Sequence, residues 1–254
     1  YAIVPDYYNG ILPKVVAKVG EKVKAGSVLM IDKNRPEIKF VSPVSGEVTA
    51  VNRGEKRKVL SIVVKPDAQI EYEEFGKKNV ASLQGAEVKE VLLNAGMWPF
   101  IKQRPYDIVA APLDTPRDIF VSAFYSAPLA PNFDFIVKGQ EADFQTGLNA
   151  LAKLTNGKVY VGVRSGSVVS GMKGVEIVEV EGPHPAANVG VQINHIKPVN
   201  KGEVVWTVNP ADVIVIGRLF NKGVADFSRM VAITGSETTE RGYVKTISGC
   251  TIKS

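Results

Sequence analysis

Val19-Gly20-Glu21-Lys22-Val23-Lys24-Ala25-Gly26-Ser27-Val28-Leu29-Met30, followed by Ser42-Pro43-Val44-Ser45-Gly46-Glu47-Val48, decides how the chain begins to fold. Gly20 and Gly26 bracket a charged turn with apolar residues alternating on either side, the pattern of short strands and tight bends. Ser42-Pro43 and Gly46 mark a second corner, ahead of Val48, Ala50 and the Val59–Val64 run. Two small, glycine-punctuated β units folded over one another are expected.

Further turn signals at Asn9-Gly10, Asn34-Arg35-Pro36 and Arg53-Gly54 extend this β-rich unit over residues 1–76. Its layout resembles the barrel-sandwich hybrid of biotinyl and lipoyl carrier domains. Such carriers present a modified lysine at a hairpin tip, and Asp32-Lys33, followed by Glu37-Ile38 and Ser42-Pro43, resembles the lipoyl version. Two departures weigh against a prosthetic group on Lys33. Asn34-Arg35-Pro36 lengthens the tip, and no methionine flanks the lysine. A lipoyl- or biotin-type carrier on Lys33 stays as an alternative.

Over 254 residues, 45% hydrophobic and 22% charged, the expectation is two or three compact units of ordinary globular composition. A net charge of +5 permits contact with anionic headgroups or an acidic partner. Glu55-Lys56-Arg57-Lys58 is too short, and too poor in aromatics, to argue for nucleic acid. Cys250 is the sole cysteine, so neither a disulfide nor a thiolate metal site follows from one thiol. The longest apolar runs, such as Val213–Ile216, fall far short of a bilayer span. A start on Tyr1 and an end inside the strand-like Tyr243–Lys253 suggest a fragment of something longer.

Beyond the first unit the periodicity changes. Glu87–Gly96 predicts a helix with Val88, Val91, Leu92 and Ala95 on one face and Gly96 as its stop. Trp98–Arg117 carries Pro99, Pro105, Pro112 and Pro116 and reads as an irregular connector. Strands at Asp118–Ala123, Lys158–Val163 and Val175–Val180, with a helix over Gln140–Leu154, predict a parallel α/β domain within 77–228. Asn209-Pro210-Ala211-Asp212 supplies a cap, a first-turn proline and an early carboxylate for a helix through Phe220. The β-branched Val213-Ile214-Val215-Ile216 argues for a strand at the same place. Strands at Met230–Thr234 and Tyr243–Ile247 then open a third unit over 229–254.

Tests for chemistry exclude more than they find. After the first strand of the middle domain comes Phe124-Tyr125-Ser126-Ala127-Pro128-Leu129-Ala130-Pro131, with no glycine-rich phosphate loop and two prolines that lack amide donors. His184 and His195 have no ligand partners at metal-site spacing. Cys250 sits in an expected strand with no histidine nearby in sequence. Glu141 and Asp143 lie two apart at a helix start, where they serve the helix dipole. No catalytic residue, metal ligand or cofactor-binding residue is assigned. What remains is apolar and aromatic: Tyr7, Tyr8 and Ile11 in an early loop, and Trp98, Phe100 and Tyr106 in the connector. They either line a groove for a flat hydrophobic ligand, bury against a partner protein, or staple the β unit to the middle domain.

Several separated strings resemble the A-subunit family of the bacterial sodium-translocating NADH:quinone reductases. They are Pro36–Gly46 with Asn52-Arg53-Gly54-Glu55-Lys56-Arg57, Gly96-Met97-Trp98 with Arg104-Pro105-Tyr106, Gly157-Lys158-Val159-Tyr160, Gly182-Pro183-His184-Pro185-Ala186 and Asp212–Gly217. The resemblance runs essentially end to end. It implies a carrier-like barrel-sandwich hybrid, a Rossmann-like α/β domain and the start of a β-grasp (SLBB-like) domain. It also implies kinship with the flavin subunit of respiratory complex I and the C subunit of the Rnf complex. In the complex I relative a glycine-rich loop cradles the flavin phosphate. The corresponding place here, Asn94–Phe100, replaces glycines by bulk and proline, so FMN is not expected. The implied role is a peripheral subunit on the cytoplasmic face of the bacterial inner membrane. Quinone is the implied substrate of the complex. Tyr7, Tyr8, Ile11, Trp98, Phe100 and Tyr106 are expected to border either a quinone slot or the contact with the membrane-embedded B subunit. The matching strings assign no role to any one of them. A purely structural docking subunit is the other reading of the same residues.

Overall fold

The computed structural model describes residues 1–252. Lys253 and Ser254, which end the expected strand-like run Tyr243–Lys253 and the third unit 229–254, lie outside the described residues. The first unit contains β1 (Ala2–Ile3), β2 (Pro13–Val15), β3 (Lys22–Val23), β4 (Val28–Asp32), β5 (Lys39–Val41), β6 (Gly46–Arg53) and β7 (Val59–Pro66). They form two antiparallel sheets, ordered β1-β7-β6-β3 and β2-β4-β5. Alternation explains the sandwich. Val48, Ile62 and Val64 point inward and are fully buried with Leu29, Met30 and Ile38, while Thr49 and Leu60 face out.

Helix α1 (Gly85–Asn94) follows, its first turn fixed by Gln84 N–H donating to Glu87 Oε2 at 2.7 Å. Val88 and Leu92 enter the core and Gly96 ends the helix at φ +67. A Cβ at Gly96 would lie 2.5 Å from Val41 Cγ1, so the helix end rests directly on the β unit.

The proline-studded segment is not irregular. After a 3₁₀ turn at Trp98–Phe100 it forms β8 (Ile101–Arg104) and β9 (Ile108–Val109). Its four prolines flank these strands instead of interrupting them, so no ladder amide is lost. The chain continues through β10 (Ile119–Ser122), α2 (Phe133–Val137), α3 (Glu141–Ala152), β11 (Val159–Val163), β12 (Glu176–Glu179), α4 (Val189–Ile196), β13 (Val205–Val208) and α5 (Pro210–Lys222). The sheet order is β12-β11-β10-β13-β8-β9; β10, β11, β12 and β13 are parallel, and β8 and β9 extend the edge antiparallel.

α5 resolves the ambiguity of its β-branched run. Asn209 Oδ1 accepts from Ala211 N–H at 3.0 Å, Gly223 at φ +78 closes the far end, and Val213–Phe220 is buried all round. A helix enclosed on every side reads in sequence like a buried strand. It crosses α3 at two glycines: a Cβ on Gly217 would lie 1.7 Å from Asp143 O, and one on Gly147 2.1 Å from Val213 O. Sequence reasoning missed α2, α4 and β13, which are short or fully buried and carry no clean period. The chain then forms β14 (Ser228–Ile233) and β15 (Gly242–Ile247), an antiparallel hairpin. Ala2 N–H donates to Gly249 O at 2.8 Å, bringing the hairpin's end back against β1.

Candidate functional site

The parallel strands wind outward from β10 in both directions, so β10 and β13 flank the switch point at which open α/β sheets hold their ligands. A crevice of ≈ 580 Å³ lies there, walled by Lys102 and Arg104 of β8, Phe124 and Tyr125 after β10, the first turn of α4, and Asn209 and Asp212 at the start of α5. Two features close the usual phosphate position. The α5 N-terminus is occupied by its own Asn209 cap and Pro210, with Asp212 in its first turn. Gln192 lies across the ends of β10 and β11, its Nε2 donating to Ser122 Oγ at 2.9 Å; a Cβ on Gly162 would come within 2.2 Å of Gln192 Oε1.

Three of the six aromatic-loop candidates meet in a second, smaller cleft of ≈ 210 Å³. Tyr7, Tyr8 and Phe100 line it with Val41, Phe227 and Arg229, at the junction of the first unit, the connector and the β14–β15 hairpin. The Tyr8 ring meets Phe40 edge-on at 4.7 Å and lies under Lys102 Nζ at 5.1 Å; Phe100 meets Phe227 at 6.2 Å and carries the Arg229 guanidinium at 5.4 Å. Arg229 is itself oriented by Asp212, whose Oδ1 is 2.5 Å from Nη2. Burial, then the Asp212 charge, pushes the Tyr8 hydroxyl up to about 12 against the opposing Arg229, leaving it a neutral donor at physiological pH.

The other three fall elsewhere. Trp98 is fully buried; its indole N–H donates to Ala110 O at 2.8 Å and its ring meets Trp206 edge-on at 5.4 Å. Its place is in the core, a correction to its expected position on a ligand or subunit surface. Ile11 is half-buried against that core. Tyr106, 80% exposed, sits at the β8–β9 turn and lines neither cleft. Tyr7 is 79% exposed at the rim. The early loop and this turn are joined, because Val109 N–H donates to Asn9 O at 2.9 Å. Lys102, Phe227 and Arg229 were missed: a lone cation in a short strand and an aromatic beside a hairpin carry no sequence period.

The extended tip Asn34-Arg35-Pro36 has a structural use. Buried Asp32 accepts from Leu12 N–H (3.1 Å), Asn34 N–H (3.1 Å) and Arg35 Nε (2.7 Å), and Arg35 donates onward to Gly10 O (2.9 Å) and Val109 O (3.1 Å). Lys33 is exposed, but its own N–H donates to Leu12 O at 2.7 Å, so its hairpin is fastened to the early loop. His184 Nδ1 lies 3.1 Å from Ser126 Oγ, and His195 Nδ1 2.9 Å from Val191 O. Among the described residues no group of three or more His, Cys, Asp or Glu is placed to hold a metal ion. Cys250 lies beyond the end of β15, in the turn that follows it, and not within a strand as expected.

The profile of the NqrA N-terminal barrel-sandwich hybrid domain matches residues 1–67, and that of the NqrA second alpha/beta domain matches residues 83–225. Among curated proteins, the A subunit of the Na(+)-translocating NADH-quinone reductase of Hahella chejuensis is 38% identical over 99% of this chain and 57% of its own length. The subunits of the same name from Neisseria meningitidis serogroup A (36%, over 99% and 57%) and Photorhabdus laumondii (36%, over 98% and 56%) are similarly related. The chain spans a little over half the length of these relatives.

Proposed function

The chain belongs to the NqrA family, and from that membership we propose that it acts as the A subunit of a Na(+)-translocating NADH-quinone reductase, an oxidoreductase complex. In this reading it is a peripheral subunit on the cytoplasmic face of the bacterial inner membrane, associated with the quinone reaction and held by the membrane-embedded B subunit. Two observations support the peripheral position. Among the described residues no helix is long and apolar enough to cross a membrane. Exposed Tyr7 and Tyr106 stand on a loop and a hairpin linked by the Val109–Asn9 hydrogen bond, which offers a partner two aromatic anchors.

The observation that carries the quinone association is the cleft between Tyr8 and Phe100. It has apolar walls, a neutral Tyr8 hydroxyl and the Arg229 guanidinium, the combination that a flat ring with two carbonyl oxygens requires. Its ≈ 210 Å³ accommodates a single ring and favours a headgroup over a cofactor. No flavin enters this reading, since Asn94–Phe100 carries bulk and proline where a flavin-phosphate loop would carry glycines. The small volume also supports the second reading, a docking subunit in which the same aromatics bury against a neighbour.

Equilibrium dialysis of a short-chain quinone against the wild type and Phe100→Ala separates the two. Loss of one aromatic wall is expected to weaken binding about tenfold. No saturable binding by the wild type, or an unchanged affinity in the variant, removes the quinone from this cleft. An intact mass equal to the sequence mass for the natively expressed protein disposes of the carrier alternative at Lys33.

A further inference from the structure

We infer that the crevice at the carboxyl ends of β10 and β13 binds a small phosphate-bearing anion, held by Lys102, Arg104 and the first-turn amides of α4. This inference does not rest on the quinone reading, whose cleft lies on the other side of Phe100 and Tyr8.

Three positive groups converge here without adequate partners. Lys102 Nζ is buried and, among the described residues, makes no hydrogen bond; the Tyr8 ring beneath it at 5.1 Å supplies only a π face. Burial depresses the Lys102 ammonium below its ordinary range, against the upward pull of Asp107 and Asp212, as befits a charge whose desolvation is uncompensated. Arg104 Nε is likewise buried without a hydrogen bond; Asp107 Oδ1 stands 3.4 Å away, an ion pair without hydrogen-bond alignment. The α4 N-terminus is the third. Its N-cap Asn188 makes no side-chain cap, and the Val189 and Gly190 amides donate to nothing among the described residues.

The arrangement of these groups strengthens the case. Arg104 Nη1 lies 3.9 Å from where a Gly190 Cβ would stand, which sets a guanidinium against the positive end of a helix. Alone, that pairing is unfavourable. An anion between them satisfies the guanidinium and both amides, with Lys102 of the same crevice wall as the further cation. The donors come from β8 on one wall and α4 on another, which suits a group with three outward oxygens better than a planar carboxylate. Asp107 and Asp212 also line the crevice and offset part of its positive field. Asp107 faces Arg104 at 3.4 Å and Asp212 is held by Arg229, so neither gives Lys102 a hydrogen bond. The ≈ 580 Å³ volume exceeds a bare phosphate, so a small ester fits alongside Phe124 and Tyr125. The usual switch-point phosphate contact at the helix after β13 is replaced here by one at the helix before it.

The test is isothermal titration of the 254-residue chain with inorganic phosphate and with glycerol 3-phosphate, at constant ionic strength in a phosphate-free buffer. One saturable site is expected, and Lys102→Gln weakens it about tenfold to a hundredfold, the loss of one charge-assisted hydrogen bond. Lys245→Gln, an exposed change outside this crevice, leaves it unaltered. Tighter binding of glycerol 3-phosphate identifies an ester as occupant, and tighter binding of phosphate the free ion. Absence of saturable binding, or equal affinities for wild type and Lys102→Gln, overturns the inference. A thermal melt guards against misfolding: in phosphate-free buffer Lys102→Met is expected to melt no lower than wild type, since it removes an unpaired buried charge. A lower melting temperature for Lys102→Met means that the ammonium is structural, and this too overturns the inference.

Discussion

Replacing Arg218 by methionine removes the charge that joins α5, α3 and the terminal hairpin. The buried guanidinium donates through Nη1 to Asp226 O (3.0 Å), Ser228 O (3.0 Å) and Ser228 Oγ (2.8 Å), and through Nη2 to Gln140 Oε1 (2.6 Å). It also faces Asp143 Oδ2 at 3.7 Å and Asp226 Oδ1 at 3.3 Å. Methionine retains the apolar stem but strands two carboxylates and four other acceptors. Breaking a buried ion pair from one side costs about 3–5 kcal/mol. Partial compensation favours the lower end, since Asp226 keeps Lys222 at 3.1 Å and Asp143 keeps Asn221 at 2.7 Å. The expected loss is therefore about 3 kcal/mol. Urea denaturation followed by circular dichroism measures it, and hydrogen exchange locates it. Peptides covering Ser228–Ile233 and Gly242–Ile247 are expected to lose protection before those of the central sheet. A loss below about 1 kcal/mol, with hairpin exchange unchanged, refutes the reasoning.

Asp226 makes the same network pH-sensitive. Burial works against its charge, but the Ser228 hydrogen bonds and Arg218 hold its carboxyl down to about 2, against an ordinary 3.8. Because the folded value is the lower one, the stabilisation is fully present above pH 3.8 and is lost as pH falls toward 2. With allowance for solvent at the edge of the pair, wild type is expected to exceed Asp226→Asn by about 1–2 kcal/mol at pH 7 and by roughly half that at pH 3; a gap that grows on acidification contradicts this. Gly217→Ala is expected to destabilise by about 3 kcal/mol despite its better helix propensity, because the new methyl meets backbone on α3. A raised urea midpoint defeats that argument. Arg35→Ala frees the hairpin tip, so amides of residues 7–12 are expected to exchange faster while those of β10 and β11 do not. Uniform exchange across both regions counts against the clamp. Trp98→Ala is expected to cost about 3–5 kcal/mol by emptying the core beside Trp206, a loss that separates it from the surface aromatics in any binding assay.

Much of this architecture was legible in the residues because its signals are local. Glycine corners and alternating apolar residues specify the first unit, since a period of two and a tight turn act within a few residues. The cap and first-turn proline at Asn209-Pro210 outweighed the β-branched run after them, because a capped N-terminus selects helix and full enclosure then favours bulky apolar side chains. The absence of a glycine-rich phosphate loop was equally plain from sequence.

The sequence by itself therefore determined the first β unit, the longer helices and most central strands, the family and the lack of a glycine-rich phosphate loop. It did not determine β8, β9, α2, α4 or β13. Only the tertiary structure decided that Trp98 is core while Phe100, two residues on, walls a cleft. The 3₁₀ turn rotates about 120° per residue, so these two side chains leave in different directions. What each meets depends on Trp206 and Phe227, more than 100 residues away. The same holds for Lys102, Arg104 and the amides of Val189 and Gly190. Charges separated by some 85 residues become one site only when β8 pairs with β13 and carries them to the mouth of α4, for electrostatic attraction follows distance in space and leaves no periodic mark along the chain.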